Sequence, residues 1–218
     1  MRKYEKIPTI FERSMDGSKA LMPGWWCSPT VAMLQDIPWD WTEKIDGTGI
    51  RVHWDGHKVE YGGRTESASI PAHLINRLNE LFGGETNAQV FEQMFGEKEV
   101  YIYGEGFGKK IQKGHEYLPD SVDFAIFDIM ICGNYQPRSN VENIAQALGA
   151  RVVPVVGHGT LSEAIAYVKT NPDSTIGKAK MEGLVCRPFN ELQDRCGNRI
   201  IVKIKYKDFK NLKYGEED

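Results

Sequence analysis

The sequence predicts an α+β chain of antiparallel sheets flanked by helices. Residues 49–54 and 58–62 read as two strands joined at Asp55-Gly56, a hairpin turn signal. Residues 99–107 and 122–131 form longer strands, dense in aromatic and β-branched residues. Helical segments interrupt these strands without the regular alternation that a doubly wound fold requires.

Residues 1–43 read as irregular, with Pro8, Pro23, Pro29 and Pro38 as breakers. Trp25, Trp26, Trp39 and Trp41 are expected to pack there as core or as a lid. After the hairpin, residues 71–82 read as a helix, with Leu74, Ile75 and Leu78 at helical spacing, and residues 87–95 as a second one. Beyond the two long strands, Ser139 and Glu142 have capping-box spacing before a helix over 141–148. A short strand follows at 152–156. Thr160 and Glu163 repeat the capping-box spacing before a helix that runs through Val168, and strands at 183–187 and 199–205 close the pattern.

Bulk composition narrows the function classes. The chain has 218 residues, formal net charge −3 and a pI near 6.0. A purely electrostatic nucleic-acid binder would be basic, so any such contact must come from local patches. Cys27, Cys132, Cys186 and Cys196 make no C-x-x-C pair; reduced thiols in a cytoplasmic protein are the simplest reading. The charged N-terminus lacks an apolar signal region, and no run is long enough to span a membrane. His53, His57, His73, His115 and His158 lack zinc-ligand or triad spacing and read as surface or structural. There is no G-x-x-x-x-G-K-[ST] loop, and the glycines at 104, 106 and 108 do not lead into a helix, so neither a Walker ATPase nor a dinucleotide site is expected.

The informative segment is Glu43-Lys44-Ile45-Asp46-Gly47-Thr48-Gly49, where a lysine stands two residues before Asp-Gly at the mouth of a strand. A tight Asp-Gly turn permits close ligand approach, and a lysine beside it can act as a nucleophile. Alone, the same four residues also suit an ordinary surface turn. Four further segments follow in order: Tyr103-Gly104-Glu105-Gly106, Asp123 to Asp128, Glu182-Gly183-Leu184-Val185 and Val202-Lys203-Ile204-Lys205.

With these five segments in this order, the sequence resembles the covalent nucleotidyltransferases: ATP-dependent DNA ligases, RNA ligases and mRNA capping enzymes. The resemblance spans positions 43–205 and is nearest to RNA ligases of the phage RNA ligase 2 type, which share Gly47-Thr48 and a glutamate like Glu43. That type commonly has asparagine where this chain has Gly49. The resemblance implies a ligase-type nucleotidyltransferase domain with a nucleotide pocket between its sheets. It implies ATP and Mg²⁺ or Mn²⁺ as cofactors, and nucleic acid, chiefly RNA with 5′-phosphate and 3′-hydroxyl ends, as partner. Lys44 would attack the α-phosphorus of ATP to give lysyl-AMP. A free lysine titrates near 10.4, so only about one in 10³ is neutral at pH 7, and such chemistry needs neighbouring positive charge. Lys203 and Lys205 would lie on the α-phosphate, although a solvated basic strand end is the plain alternative. Glu105 would bind the ribose and Phe127 the adenine face, with core packing as Phe127's competitor. Glu43 would read the adenine amino group, with Ile45 beside the nucleotide. Glu182 and Asp46 would hold the metal, partly through water. Arg51 and Arg64 are candidates for ribose, phosphate or strand contacts, with Arg187 a further candidate behind them.

After Lys205 thirteen residues remain, too few for an OB fold or the C-terminal domain of RNA ligase 2 relatives. A stand-alone catalytic domain over 1–218 is therefore expected, with a monomer as the working oligomeric state. Lys109, Lys110 and Lys113 either contact strand phosphates or form a solvated loop. Competing readings are a minimal ATP-dependent DNA ligase, a nucleotide- or end-binding module without turnover and, least favoured, a GTP-specific capping enzyme.

Overall fold

The structure, a computed structural model, describes residues 1–210. Residues 211–218, the end of the tail that the sequence leaves too short for a further domain, lie outside the described residues. In chain order the elements begin with strands β1 (Phe11–Arg13) and β2 (Leu21–Trp26), helix α1 (Pro29–Met33), and strands β3 (Trp39–Lys44), β4 (Thr48–Trp54) and β5 (Val59–Gly63). Helices α2 (Ala72–Phe82) and α3 (Gly84–Phe95) precede β6 (Val100–Gly108), β7 (Val122–Ile131) and β8 (Asn134–Tyr135). Then come α4 (Arg138–Ala147), β9 (Arg151–Val152), β10 (Val155–Gly159), α5 (Leu161–Lys169), β11 (Gly183–Pro188), β12 (Val202–Lys205) and α6 (Tyr206–Phe209). The chain divides into two compact units, the first made of Met1–Glu5 and Ile45–Val153, the second of Lys6–Lys44 and the chain from Pro154 on.

In the first unit the sheet runs β5-β4-β6-β7-β8, antiparallel throughout, with β9 added parallel to β7. Strand alternation places Ile50, Val52, Trp54, Val100, Ile102, Phe124 and Ile126 in one core with Leu74 and Leu78 of α2, Phe91 of α3 and Val141 of α4. Glycine lets α2 sit close: a Cβ at Gly106 would collide with the Leu74 side chain. A second cluster holds Tyr101, Tyr103 and Met130, with Tyr4, Phe127 and Tyr135 packed on it.

In the second unit the sheet order is β10-β3-β11-β12, again antiparallel. Trp39 and Trp41 join Leu184, Cys186, Val202 and Ile204 in a core closed by Leu161, Ala164 and Val168 of α5. The Thr160–Glu163 capping box forms as its spacing predicts, each side chain satisfying the other's backbone N–H.

Four expectations need correction. Residues 1–43 are not irregular: they hold β1, β2, α1 and most of β3. The prolines fall where elements tolerate them. Pro23 lies in a strand of the two-stranded sheet, Pro29 in the first turn of α1 behind the Ser28 cap, and Pro38 just before β3. Trp25 is 64% exposed, so it belongs to no core. The capping box at Ser139 does not form, because α4 starts at Arg138, two residues earlier than a Ser139 cap would set, behind Pro137, and Arg138 takes Glu142 at 2.7 Å. The strand read over 152–156 is two strands in different units, since Pro154 has no N–H to continue a ladder.

Candidate active site

In the second unit, strand register builds a row of charge. Gly183 on β11 faces Lys44 on β3 and Lys205 on β12, so the three positions align across the sheet. Two residues along, the next row on the same face is Thr42, Val185 and Lys203. Val202 and Ile204 are fully buried in the core while Lys203 and Lys205 are half-buried, as alternation of the two faces requires. The middle of the first row must be empty: Gly183 has φ +155°, and a Cβ there would meet the backbone of Ile204 and Lys205. Glu182, the residue before it, accepts from Lys205 Nζ on Oε1 at 2.7 Å and from Lys44 Nζ on Oε2. One carboxylate thus bridges two lysines, with side chains 23%, 10% and 18% exposed for Lys44, Glu182 and Lys205. Burial alone would raise the Glu182 pKa. The Lys44 charge and the hydrogen bonds from Lys205 and Lys44 outweigh that and hold the carboxyl below its ordinary value.

Glu43 is 1% exposed. Its carboxylate accepts from Ser174 Oγ at 2.5 Å, Thr175 N at 2.9 Å and Thr175 Oγ1 at 2.7 Å. These contacts pin the loop that leads to Glu182. Sequence reasoning did not reach Ser174 and Thr175; a Ser-Thr pair in a loop carries no signal until its partner is known.

In the first unit, Glu105 stands opposite Gly49 in the β4–β6 register. A Cβ at Gly49 would lie 4.0 Å from Glu105 Oε2 and 3.9 Å from Arg64 Cβ, and one at Gly47 would strike the Gly106 carbonyl. Gly47 and Gly49 therefore place no side chain of their own against Glu105, and Arg64, an exposed residue, borders Gly49. Arg51 is 3% exposed, with Nε donating to the Gly63 carbonyl and Nη1 to the Met1 carbonyl and Glu66. Its role in this structure is to tie the N-terminus and β5 to β4. Phe127 is the extra residue of a bulge between β6 and β7, since Tyr103 pairs with Asp128 and Gly104 with Ile126. It is half-buried, and the Tyr4 ring meets it edge-on at 4.9 Å. Tyr4 also donates to the fully buried Asp128. A tyrosine in a charged N-terminal stretch gives no sequence cue to this contact. Ile45 is buried, and the backbone N–H of Asp46 donates to Tyr117 Oη at 3.2 Å.

The structure thus brings Lys44, Glu182 and Lys205 together in one unit, with Lys203 a row away, and groups Glu105 with Gly49 and Arg64 in the other. Glu182 belongs to the second unit and Asp46 to the first. Among the described residues no group of three or more His, Cys, Asp or Glu is arranged to hold a metal ion. A cation that keeps most of its water shell needs only one or two carboxylates, and the ionised Glu182 fits that demand.

The α+β fold of antiparallel sheets thus carries a strand-end lysine bridged by a carboxylate to a second lysine, an arrangement to set beside the nucleotidyltransferase-type domains of RNA ligases. The family model for RNA ligase matches residues 37–205, and the chain belongs to the RNA ligase family. The fold is similar to that of Naegleria gruberi RNA ligase. A lysine-to-alanine mutant of that protein with ATP and Mn has a TM-score of 0.64 at 17% identity, covering 83% of this chain and 53% of that one. The same ligase with PPi has a TM-score of 0.61 at 19% identity, covering 83% and 53%. A lysine-to-methionine mutant with AMP and Mn gives 0.64 at 17%, with the same coverage. The chain spans about half the length of these ligases. No match was found among curated proteins.

Proposed function

We propose that residues 1–218 act as one ATP-dependent RNA ligase domain, which charges Lys44 with AMP, passes the AMP to an RNA 5′-phosphate and seals it to a 3′-hydroxyl, as in cytoplasmic RNA repair. The observation that carries this reading is the Lys44–Glu182–Lys205 bridge. An ammonium paired with a carboxylate is no nucleophile, so Lys44 must part from Glu182 before it can react. Mg²⁺ or Mn²⁺, when bound, would neutralise charge at the phosphates, and Glu182 is a carboxylate that would hold it. Lys44, freed from Glu182, loses its proton to solvent, and its Nζ forms the bond to the α-phosphorus. The bond from that phosphorus to the bridging oxygen breaks, and pyrophosphate leaves. Lys203 and Lys205 neutralise the α-phosphate as charge develops. Glu105 accepts from the ribose hydroxyls, Phe127 meets the adenine face beside Ile45, and Asp46 is the carboxylate that would join Glu182 in holding the metal. Arg64 is the arginine left for phosphate or strand contacts, and Arg51 stiffens the sheet beneath. Glu43 acts as a positioning residue through the loop it pins.

Wild-type protein incubated with ATP and Mg²⁺ should gain one AMP by intact mass, and Lys44→Ala should gain none. An unmodified wild type would sink this reading and favour a binding module without turnover. Nicked duplexes with ribose or deoxyribose on the 3′-hydroxyl side separate RNA from DNA ligation, and sealing indifferent to the sugar would count against an RNA ligase.

A further inference from the structure

A pocket of about 250 Å³ in the first unit is lined by His73, Lys109, Lys110, Asp120, Ser121 and Val122. A tight turn builds its basic side. Ile111 N donates to the Gly108 carbonyl at 3.0 Å, and Lys109 N to the Ser121 carbonyl at 2.8 Å. Lys109 and Lys110 are therefore the two central residues of the turn, both exposed, with Lys110 held at φ +60°. Positive φ is costly for a residue with a Cβ, so the turn presents two adjacent lysines at the expense of local strain. Opposite, His73 lies in the first turn of α2, whose N-cap Pro71 offers no side-chain cap. His73 Nε2 is buried and has no hydrogen-bond partner. A buried polar atom without a partner calls for a ligand group or water.

We propose that this pocket is a phosphodiester subsite that grips the backbone of the RNA strand. The two ammonium groups supply the charge, and the Ser121 hydroxyl and His73 Nε2–H supply directed donors for non-bridging oxygens. Asp120 opposes an anion, which makes the site dependent on both lysines together. The volume suits a phosphate with its adjoining linkages and is below the usual range for larger organic ligands. The inference rests on the RNA-ligase reading for its ligand. It adds a strand contact in a chain whose net charge of −3 provides no general attraction to RNA.

The test uses the full chain and a short single-stranded RNA labelled at its 3′ end, with either a 5′-phosphate or a 5′-hydroxyl. Binding is followed by fluorescence anisotropy across a salt series, with lysyl-AMP formation measured in parallel. Lys109→Ala/Lys110→Ala should weaken both RNAs by about tenfold and make the salt dependence shallower by roughly one phosphate's worth. His73→Ala should weaken both by a smaller factor with the salt slope retained. AMP transfer to Lys44 should be unaffected in both variants. Wild-type affinity and slope in the double variant would overturn the proposal, as would a wild type that does not bind RNA. A loss confined to 5′-phosphorylated RNA would overturn the backbone assignment in favour of a terminal-phosphate site. Loss of AMP transfer with a raised ATP requirement would overturn it in favour of a triphosphate site. A wild type that binds and responds as expected yet forms no lysyl-AMP would sink the ligation reading and leave the subsite standing. Both lysines are exposed, so thermal melts should match the wild type.

Discussion

At the scale of single residues, Glu182 decides the state of the site. Its carboxyl is held below the ordinary value of 4.5 because the attraction of Lys44 and Lys205 exceeds the penalty of burial. A depressed folded-state pKa stabilises the protein above the unfolded value, and that contribution disappears as pH falls through the folded one. Glu182→Gln should therefore cost about 1–2 kcal/mol near pH 7, modest because both lysines keep access to water. The gap to wild type should shrink as the pH approaches 3. Urea unfolding of both proteins across that range checks it; an undiminished gap in acid would mean that ion pairing is not what Glu182 contributes. The sequence located Lys44, Glu182 and Lys205 through short segments in a fixed order. It could not show that one carboxylate holds both lysines, because that depends on strand register between residues far apart in the chain.

At the scale of elements, the alignment of Lys44, Gly183 and Lys205 depends on β11 lying close against β12. Gly183→Ala forces a Cβ into the Ile204 and Lys205 backbone at a positive φ. A cost of about 2–3 kcal/mol in urea unfolding is expected, together with a large loss of lysyl-AMP formation as the row is pushed apart. Near-wild-type adenylylation in this variant would show that the row tolerates displacement. Elements with strong local signals were legible: β7 covers the expected 122–131, α2 begins one residue inside the expected 71–82, and the Thr160 box caps α5. The Ser139 box failed because Pro137 offered an earlier start and Arg138 bound Glu142. β2 and β3 were hidden because Pro23 and Pro38 mark an edge and a boundary in the fold but read as breakers in the sequence.

At the scale of the whole molecule, a net charge of −3 gives RNA no general attraction. Strand binding must rest on a few local phosphate contacts. The wild-type salt dependence for single-stranded RNA should then have a log–log slope of roughly −1 to −2, corresponding to one to three phosphates. A slope beyond about −5 in the anisotropy titration would require a continuous basic surface. Among the described residues no helix is long and apolar enough to cross a membrane.

By itself the sequence determined the fold class and the order of the chemical segments, because alternation, turn residues and short motifs are local properties that survive in one dimension. Tertiary structure alone decided what those residues touch. It committed Glu43 to Ser174 and Thr175, withdrew Arg51 into the sheet, set Tyr4 against Phe127 and joined Lys44 to Lys205 through Glu182. Each of these pairings closes between segments distant in sequence, where the free energy of burial and strand register, not local propensity, selects the partner.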